Sequence, residues 1–260
     1  MQVKTAGSIL YYEFDTFNPA VVAQAVFARH GGQSPAPYSS LNMSVSTGDT
    51  RENVRANRMR AFAALDREPD SVADLWQVHS ADVLVADTPN APADYKGKAD
   101  ALITDRPEVT LFLRFADCVP ILLYDPRRPA VGLVHAGWRG TLAKAPVAAV
   151  RAMAERYGSR PGDLVAAIGP SIGPCHYAVG PEVVEQTRHA FPNAGDDLLQ
   201  RVNGGHNLNL WAANARALRE AGVEQIENSA LCTACHAGDF FSHRAHGAQT
   251  GRFAALIGLR

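Results

Sequence analysis

The chain has 260 residues, 47% of them hydrophobic and 20% charged, enough to bury a sizeable core. Its 25 Lys and Arg balance 26 Asp and Glu to a net charge of −1, so no global field draws it to nucleic acid or to a membrane surface, and any anion site must be local. No apolar stretch approaches the roughly 20 residues of a membrane span, and Met1-Gln2-Val3-Lys4-Thr5 lacks the apolar core of a signal peptide. The cytoplasm is therefore the expected location, and the 4 cysteines are expected to be free thiols or metal ligands rather than a disulfide framework.

In chain order, Ile9 to Phe14 and Val21 to Ala28 read as opening strands. They lead into Arg29-His30-Gly31-Gly32-Gln33-Ser34, a glycine-rich turn whose backbone can approach a ligand. From Thr50 to Leu65 the periodicity is helical, with Val54, Met59, Phe62 and Leu65 on one face and Asp49 or Thr50 as N-cap. Short apolar or β-branched runs follow at Asp82 to Ala86, Ala101 to Thr104, Val109 to Phe115, Pro120 to Tyr124 and Ala130 to Val134, punctuated by Pro, Asp and Gly.

Thr141 to Tyr157 reads as a long helix burying Leu142, Ala145, Ala149, Met153 and Tyr157. Pro146 either kinks that helix or marks its start, and Gly158 and Pro161 stop it. Leu164 to Ile168 reads as a buried strand ending in the loop Gly169 to Tyr177. Helices are expected at Pro181 to Phe191 and Leu210 to Ala221, and a last strand at Phe253 to Leu259. Strands outnumber helices without strict βαβ alternation, which gives an α+β fold with mixed sheets. No repeat or linker divides the chain, so residues 1–260 are expected to form one domain.

The chemistry gathers at the ends of three apolar runs. His79 follows Leu75 to Val78, Cys118 follows the strand ending at Phe115, and His135 terminates Val131 to Val134. Two imidazoles and a thiolate form a zinc ligand set that leaves one coordination position open for chemistry. Singly, each of these residues is more often a buried thiol or a hydrogen-bonded core histidine; the three together make the metal reading.

Arg29 to Ser34, Leu41-Asn42, Gln77-Val78-His79, Ala116-Asp117-Cys118-Val119-Pro120, His135-Ala136-Gly137-Trp138-Arg139-Gly140, Phe241-Ser242-His243-Arg244 and Thr250-Gly251-Arg252 follow one another in a familiar order. Together they resemble the laccase-like multicopper polyphenol oxidoreductase family, also described as purine nucleoside phosphorylases with adenosine deaminase activity and as peptidoglycan editing factors. The resemblance runs almost end to end. It implies a single α+β domain of layered mixed sheets similar to the catalytic domain of cytotoxic necrotising factors, with zinc on the residues matching His79, Cys118 and His135. Tyr177-Ala178-Val179 and Ser242-His243-Arg244-Ala245 depart from the family pattern, which has an acidic residue after the tyrosine and Ser-Tyr-Arg-Arg.

Phosphorolysis of a nucleoside needs cationic anchors for phosphate. Arg139 leads as an anchor because Gly140 and Thr141 at the start of the expected helix can add backbone N–H groups and a hydroxyl; Arg29, Arg244 and Arg252 are further candidates in other loops. Trp138 and Tyr177 offer aromatic faces to a purine, or pack in the core. The zinc deaminase pattern of H-x-E and P-C-x-x-C segments is missing, so deamination would use a different scaffold.

Cys232-Thr233-Ala234-Cys235-His236 matches the c-type haem string C-x-x-C-H, but also reads as a second zinc site or as two reduced thiols. The expected function is a zinc-dependent purine nucleoside phosphorylase with adenosine deaminase activity, acting through Cys118, His135 and His79 on nucleoside and phosphate, with no protein partner evident. Copper-dependent phenol oxidation is a competing reading; copper can bind the trio, yet none of the 9 histidines forms a His-x-His pair. A metal-free cysteine hydrolase and a cell-wall-precursor editing protein are further alternatives. A fourth protein ligand from Cys175 or His176 would favour a structural metal at the trio.

Overall fold

The computed structural model describes residues 1–90 and 95–260. The N-terminal part supplies β1 (Gln2–Ala6), β2 (Ile9–Glu13), β3 (Val22–Phe27), α1 (Arg51–Ala63), β4 (Val72–Ala73) and β5 (Val83–Val85). The middle supplies β6 (Ala101–Thr104), β7 (Thr110–Phe115), β8 (Val119–Asp125), β9 (Ala130–Ala136), α2 (Trp138–Leu142), α3 (Ala145–Tyr157) and β10 (Val165–Ile168). The remainder adds β11 (Ala178–Val179), α4 (Pro181–Ala190), β12 (Leu199–Val202), β13 (Gly205–Leu208), α5 (Leu210–Glu220), β14 (Gln225–Asn228), α6 (His243–His246) and β15 (Phe253–Leu259).

The strands form two six-stranded sheets, ordered β1-β2-β3-β15-β7-β4 and β14-β10-β8-β9-β6-β5, and a small β11-β13-β12 sheet. Both large sheets are mixed: β4 runs parallel to β7, β14 to β10 and β5 to β6, while the other pairings are antiparallel. The fold is α+β with layered sheets and helices, as the sequence predicts.

Strand alternation explains the layering. In β15, Phe253, Ala255 and Ile257 join Leu122, Leu133 and Val131 of the second sheet in one core, while Ala254 and Leu256 turn to Phe62 of α1. In β8, Ile121 and Leu123 face the opposite way, onto Ala149 and Met153 of α3 and Leu218 of α5. The order is thus α1, first sheet, second sheet, then α3 with α5. Strands covered on both faces carry unbroken apolar runs, which is why β7, β8, β9 and β15 are conspicuous in the sequence. Among the described residues no helix is long and apolar enough to cross a membrane.

Two expectations need correction. Thr141 to Tyr157 is not one helix: α2 ends at Leu142, Lys144 adopts φ 62°, and α3 starts afresh with Pro146 in its first turn. A residue without an N–H and with a fixed φ is favourable only there, so Pro146 marks a start rather than a kink. Met59 does not share the buried face of α1; it is 51% exposed, and the face is made by Val54, Asn57, Ala61 and Phe62. Asn57 is buried because its amide donates to Ser34 Oγ and to the Ser40 and Asn42 carbonyls. Thr50 is the N-cap, accepting from Asn53 N–H.

Candidate metal centre

His79 sits in the turn between β4 and β5, Cys118 in the tight link from β7 to β8, and His135 near the end of β9. The β8–β9 register sets Pro120 opposite His135, which brings the Cys118 turn to the same end of the sheet. Ligand atoms of the three side chains all lie within 4.8 Å of one another, with Cys118 Sγ 3.9 Å from His79 Nε2. Cys175 and His176 do not join them.

One residue the sequence reading missed organises the trio. Asp100, fully buried beside β6, places Oδ1 2.8 Å from His135 Nδ1, while Oδ2 accepts from the N–H groups of Val78 and Ser80 at 3.1 and 2.6 Å. The carboxylate orients one imidazole and leaves its Nε2 for a ligand, and it also pinches the turn that carries the other. That turn holds His79 at φ 63°, a conformation costly for a side-chain-bearing residue and typical of over-determined functional sites. A lone Asp before a strand gives no sequence signal for this role. Gly137 is also required: a Cβ there would meet Cys118 Sγ at 2.9 Å and His79 Cδ2 at 3.0 Å.

The electrostatics fit a ligand set. Burial alone would push the Cys118 thiol up, but the charges and hydrogen bonds of His135 and His79 outweigh it and hold the pKa at about 6. Burial would lower His135, yet the Cys118 thiolate and Asp100 lift it to about 9. Without metal, the two form a thiolate–imidazolium pair between those values. A cation taking the place of the imidazolium proton would meet a thiolate already formed. Two imidazoles, one thiolate and a buried carboxylate behind His135 thus fit a metal ion, with zinc suited to the N/S donors.

The trio lines a cavity of about 470 Å³ together with Trp76, Gln77, Tyr177, His243, Arg244 and Arg252. Arg244 donates through Nη1 to His176 O at 2.9 Å and through Nη2 to Ala178 O at 3.2 Å, and its guanidinium lies over Tyr177. Arg252 is largely buried and uses Nη1 on the Thr250 and Gly251 carbonyls. Burial pushes the Tyr177 phenol up, so it stays protonated. Asp117, at φ 86°, ties the Cys118 turn to the wall by accepting from Thr233 Oγ1 at 2.6 Å and Arg244 N–H at 2.7 Å.

Two predicted anchors lie outside this lining. Arg29 donates to Ser39 O and Ala237 O and packs over the Phe241 ring, which holds its guanidinium away from the cavity lining. Arg139 is exposed, stacks on Trp138, and lines a separate groove with Glu182 and His189. Trp138 lies in that groove too, whereas Trp76, 51% exposed and packed edge-on to Tyr95, lines the cavity of the trio.

The family model described as multi-copper polyphenol oxidoreductase laccase matches residues 23–260. The chain belongs to this family. As a member of the laccase family, it is 39% identical over 241 residues to the purine nucleoside phosphorylase YlmD of Geobacillus stearothermophilus, covering 89% of this chain and 88% of the relative. It is 40% identical over 238 residues to a purine nucleoside phosphorylase of Deinococcus radiodurans, covering 92% and 89%. The crystal structure of YlmD from Geobacillus stearothermophilus superposes with a TM-score of 0.92 at 36% identity, covering 99% of this chain and 98% of that one. For a family named after several coppers, the donor group in this member's cavity is small: His79, Cys118 and His135.

Proposed function

We propose that the protein is a zinc-dependent purine nucleoside phosphorylase that also deaminates adenosine. The observation that carries this is a three-donor metal group facing a cavity whose wall holds Arg244 and Arg252. The names of the relatives support the substrate class. A zinc ion held by His79 Nε2, Cys118 Sγ and His135 Nε2 would supply a Lewis acid beside the cavity.

The chain's own groups account for the remainder. Arg244 and Arg252 hold phosphate by charge-assisted hydrogen bonds. A phosphate oxygen bonds to ribose C1′ as the C1′–N9 bond breaks, and its electron pair leaves with the purine. The departing base takes up a proton, a delivery we assign to His243. Tyr177, kept protonated, donates a hydrogen bond, and Trp76 offers the purine a stacking face. In deamination, water adds to the amino-bearing purine carbon and ammonia leaves, converting adenosine to inosine. The reduced thiolate required of Cys118 suits a cytoplasmic location.

Phenol oxidation, the activity in the family's description, needs a copper array, but the sequence has no His-x-His pair and, among the described residues, the trio's own donor group has three members. A metal-free cysteine hydrolase needs one imidazole beside the thiolate, whereas here two imidazoles and the thiolate place their ligand atoms within 4.8 Å of one another. The test is incubation of pure protein with adenosine, inosine or methylthioadenosine, with and without phosphate, followed by separation of the products. Phosphate-dependent release of adenine or hypoxanthine is expected, together with inosine from adenosine. Yields no higher than those of Cys118→Ala would refute the proposal.

A further inference from the structure

Two loops far apart in sequence meet beside the cavity wall. Ser171 N–H donates to Leu231 O at 3.1 Å and Thr233 N–H to Ser171 O at 3.0 Å, docking the loop after β10 on the loop after β14. The junction sets Cys175 and His176 against Cys232 and Cys235, with all four donor atoms within 4.8 Å of one another. Cys175 Sγ is 3.5 Å from Cys235 Sγ. His176 Nδ1 is 3.3 Å from Cys175 Sγ, 3.7 Å from Cys232 Sγ and 3.4 Å from Cys235 Sγ.

A tetrahedral zinc shell, with bonds of ~2.3 Å to sulfur and ~2.0 Å to nitrogen, sets its sulfurs ~3.8 Å apart and sulfur from nitrogen ~3.5 Å. The four donors already stand near those spacings. The histidine in the group is His176, not the adjacent His236, so the C-x-x-C pair works as half of a metal knuckle rather than as a haem attachment string.

We propose that Cys175, His176, Cys232 and Cys235 bind a second zinc ion with a structural role. Three thiolates and an imidazole close the shell with protein ligands, leaving no position for substrate. Soft thiolates select zinc over calcium or magnesium. A filled shell of this kind is anionic, and Gly173 N–H already donates to Cys232 Sγ at 3.3 Å. A side chain at Gly173 would close that approach, its Cβ meeting Cys232 Cβ at 3.0 Å and the Trp211 ring at 2.6 Å.

The ion would fasten the wall of the first site. Tyr177 follows His176 directly, and Arg244 grips the carbonyls of His176 and Ala178. Thr233, between the two knuckle cysteines, donates to Asp117 beside Cys118.

Metal stoichiometry on the intact protein tests this. Purified wild type is expected to hold two zinc ions per chain, and Cys175→Ser, Cys235→Ser and Cys118→Ala one each. In the Cys118→Ala protein, X-ray absorption at the zinc edge should show three sulfurs and one nitrogen, a readout that does not depend on how the other variants fold. One zinc in the wild type, lost entirely in Cys118→Ala, would overturn the proposal. So would a chain two hydrogens light with Cys175 linked to Cys235, or a Cys118→Ala zinc bound only by nitrogen and oxygen.

Discussion

Asp100 acts on both imidazoles of the centre, directly through Nδ1 of His135 and indirectly through the Val78 and Ser80 N–H groups that flank His79. Removing its charge while keeping its shape should weaken the centre. Asp100→Asn is expected to lower zinc affinity and nucleoside turnover about 10- to 100-fold, the range for a partner behind a metal ligand. Competition with a chelator of known affinity measures the first; an unchanged affinity would deny Asp100 its orienting role.

The thiolate makes a second prediction. With Cys118 held at about 6 and His135 at about 9, the metal-free protein keeps its thiolate through neutral pH and loses it only as pH falls through about 6. Above about 9 the thiolate remains while His135 gives up its proton and the pair dissolves. Alkylation of Cys118 by iodoacetamide, followed by peptide mass spectrometry, should therefore drop to half near pH 6. A midpoint near the ordinary thiol value of about 8.5 would remove the ion pair.

At the scale of elements, the strongest signals came from strands buried on both faces, and β6 and β15 lie where their apolar runs predict. The missed strands are short or polar. β1 carries Gln2 and Lys4 on an exposed edge, and β4 and β11 have only two residues each. The β12–β13 hairpin did have a signal, Asn203-Gly204, both at positive φ as a two-residue turn requires. In α1 the arginines obscure the face: Arg58 packs over Phe112 and donates to Met43 O, so part of the buried surface is made by a charged residue. Phe62→Ala is accordingly expected to cost about 3–5 kcal/mol. Met59→Gln should change stability by no more than about 0.5 kcal/mol. Urea unfolding of both variants decides the orientation of the helix, and equal losses would reverse it.

At the scale of the whole molecule, the excess of strands and the absence of βαβ alternation were enough for an α+β fold with mixed sheets, whereas the layering was implied by the family resemblance. The composition of the cavity wall was only partly legible. Arg244 and Arg252 reach it, whereas Arg29 and Arg139 do not, and nothing local to an arginine tells which cavity its guanidinium will line: Arg29, Arg244 and Arg252 all donate to backbone carbonyls. The two donor groups share that wall through Asp117, Thr233 and Arg244, so the fold joins pieces of chain more than 100 residues apart into one frame.

The most direct test is zinc content measured alongside phosphate-dependent nucleoside cleavage for the wild type and for His79→Ala, Cys118→Ala and His135→Ala. Each substitution should remove one zinc per chain and reduce cleavage to background. Retention of full zinc and activity in all three would contradict a zinc-dependent reaction at this centre.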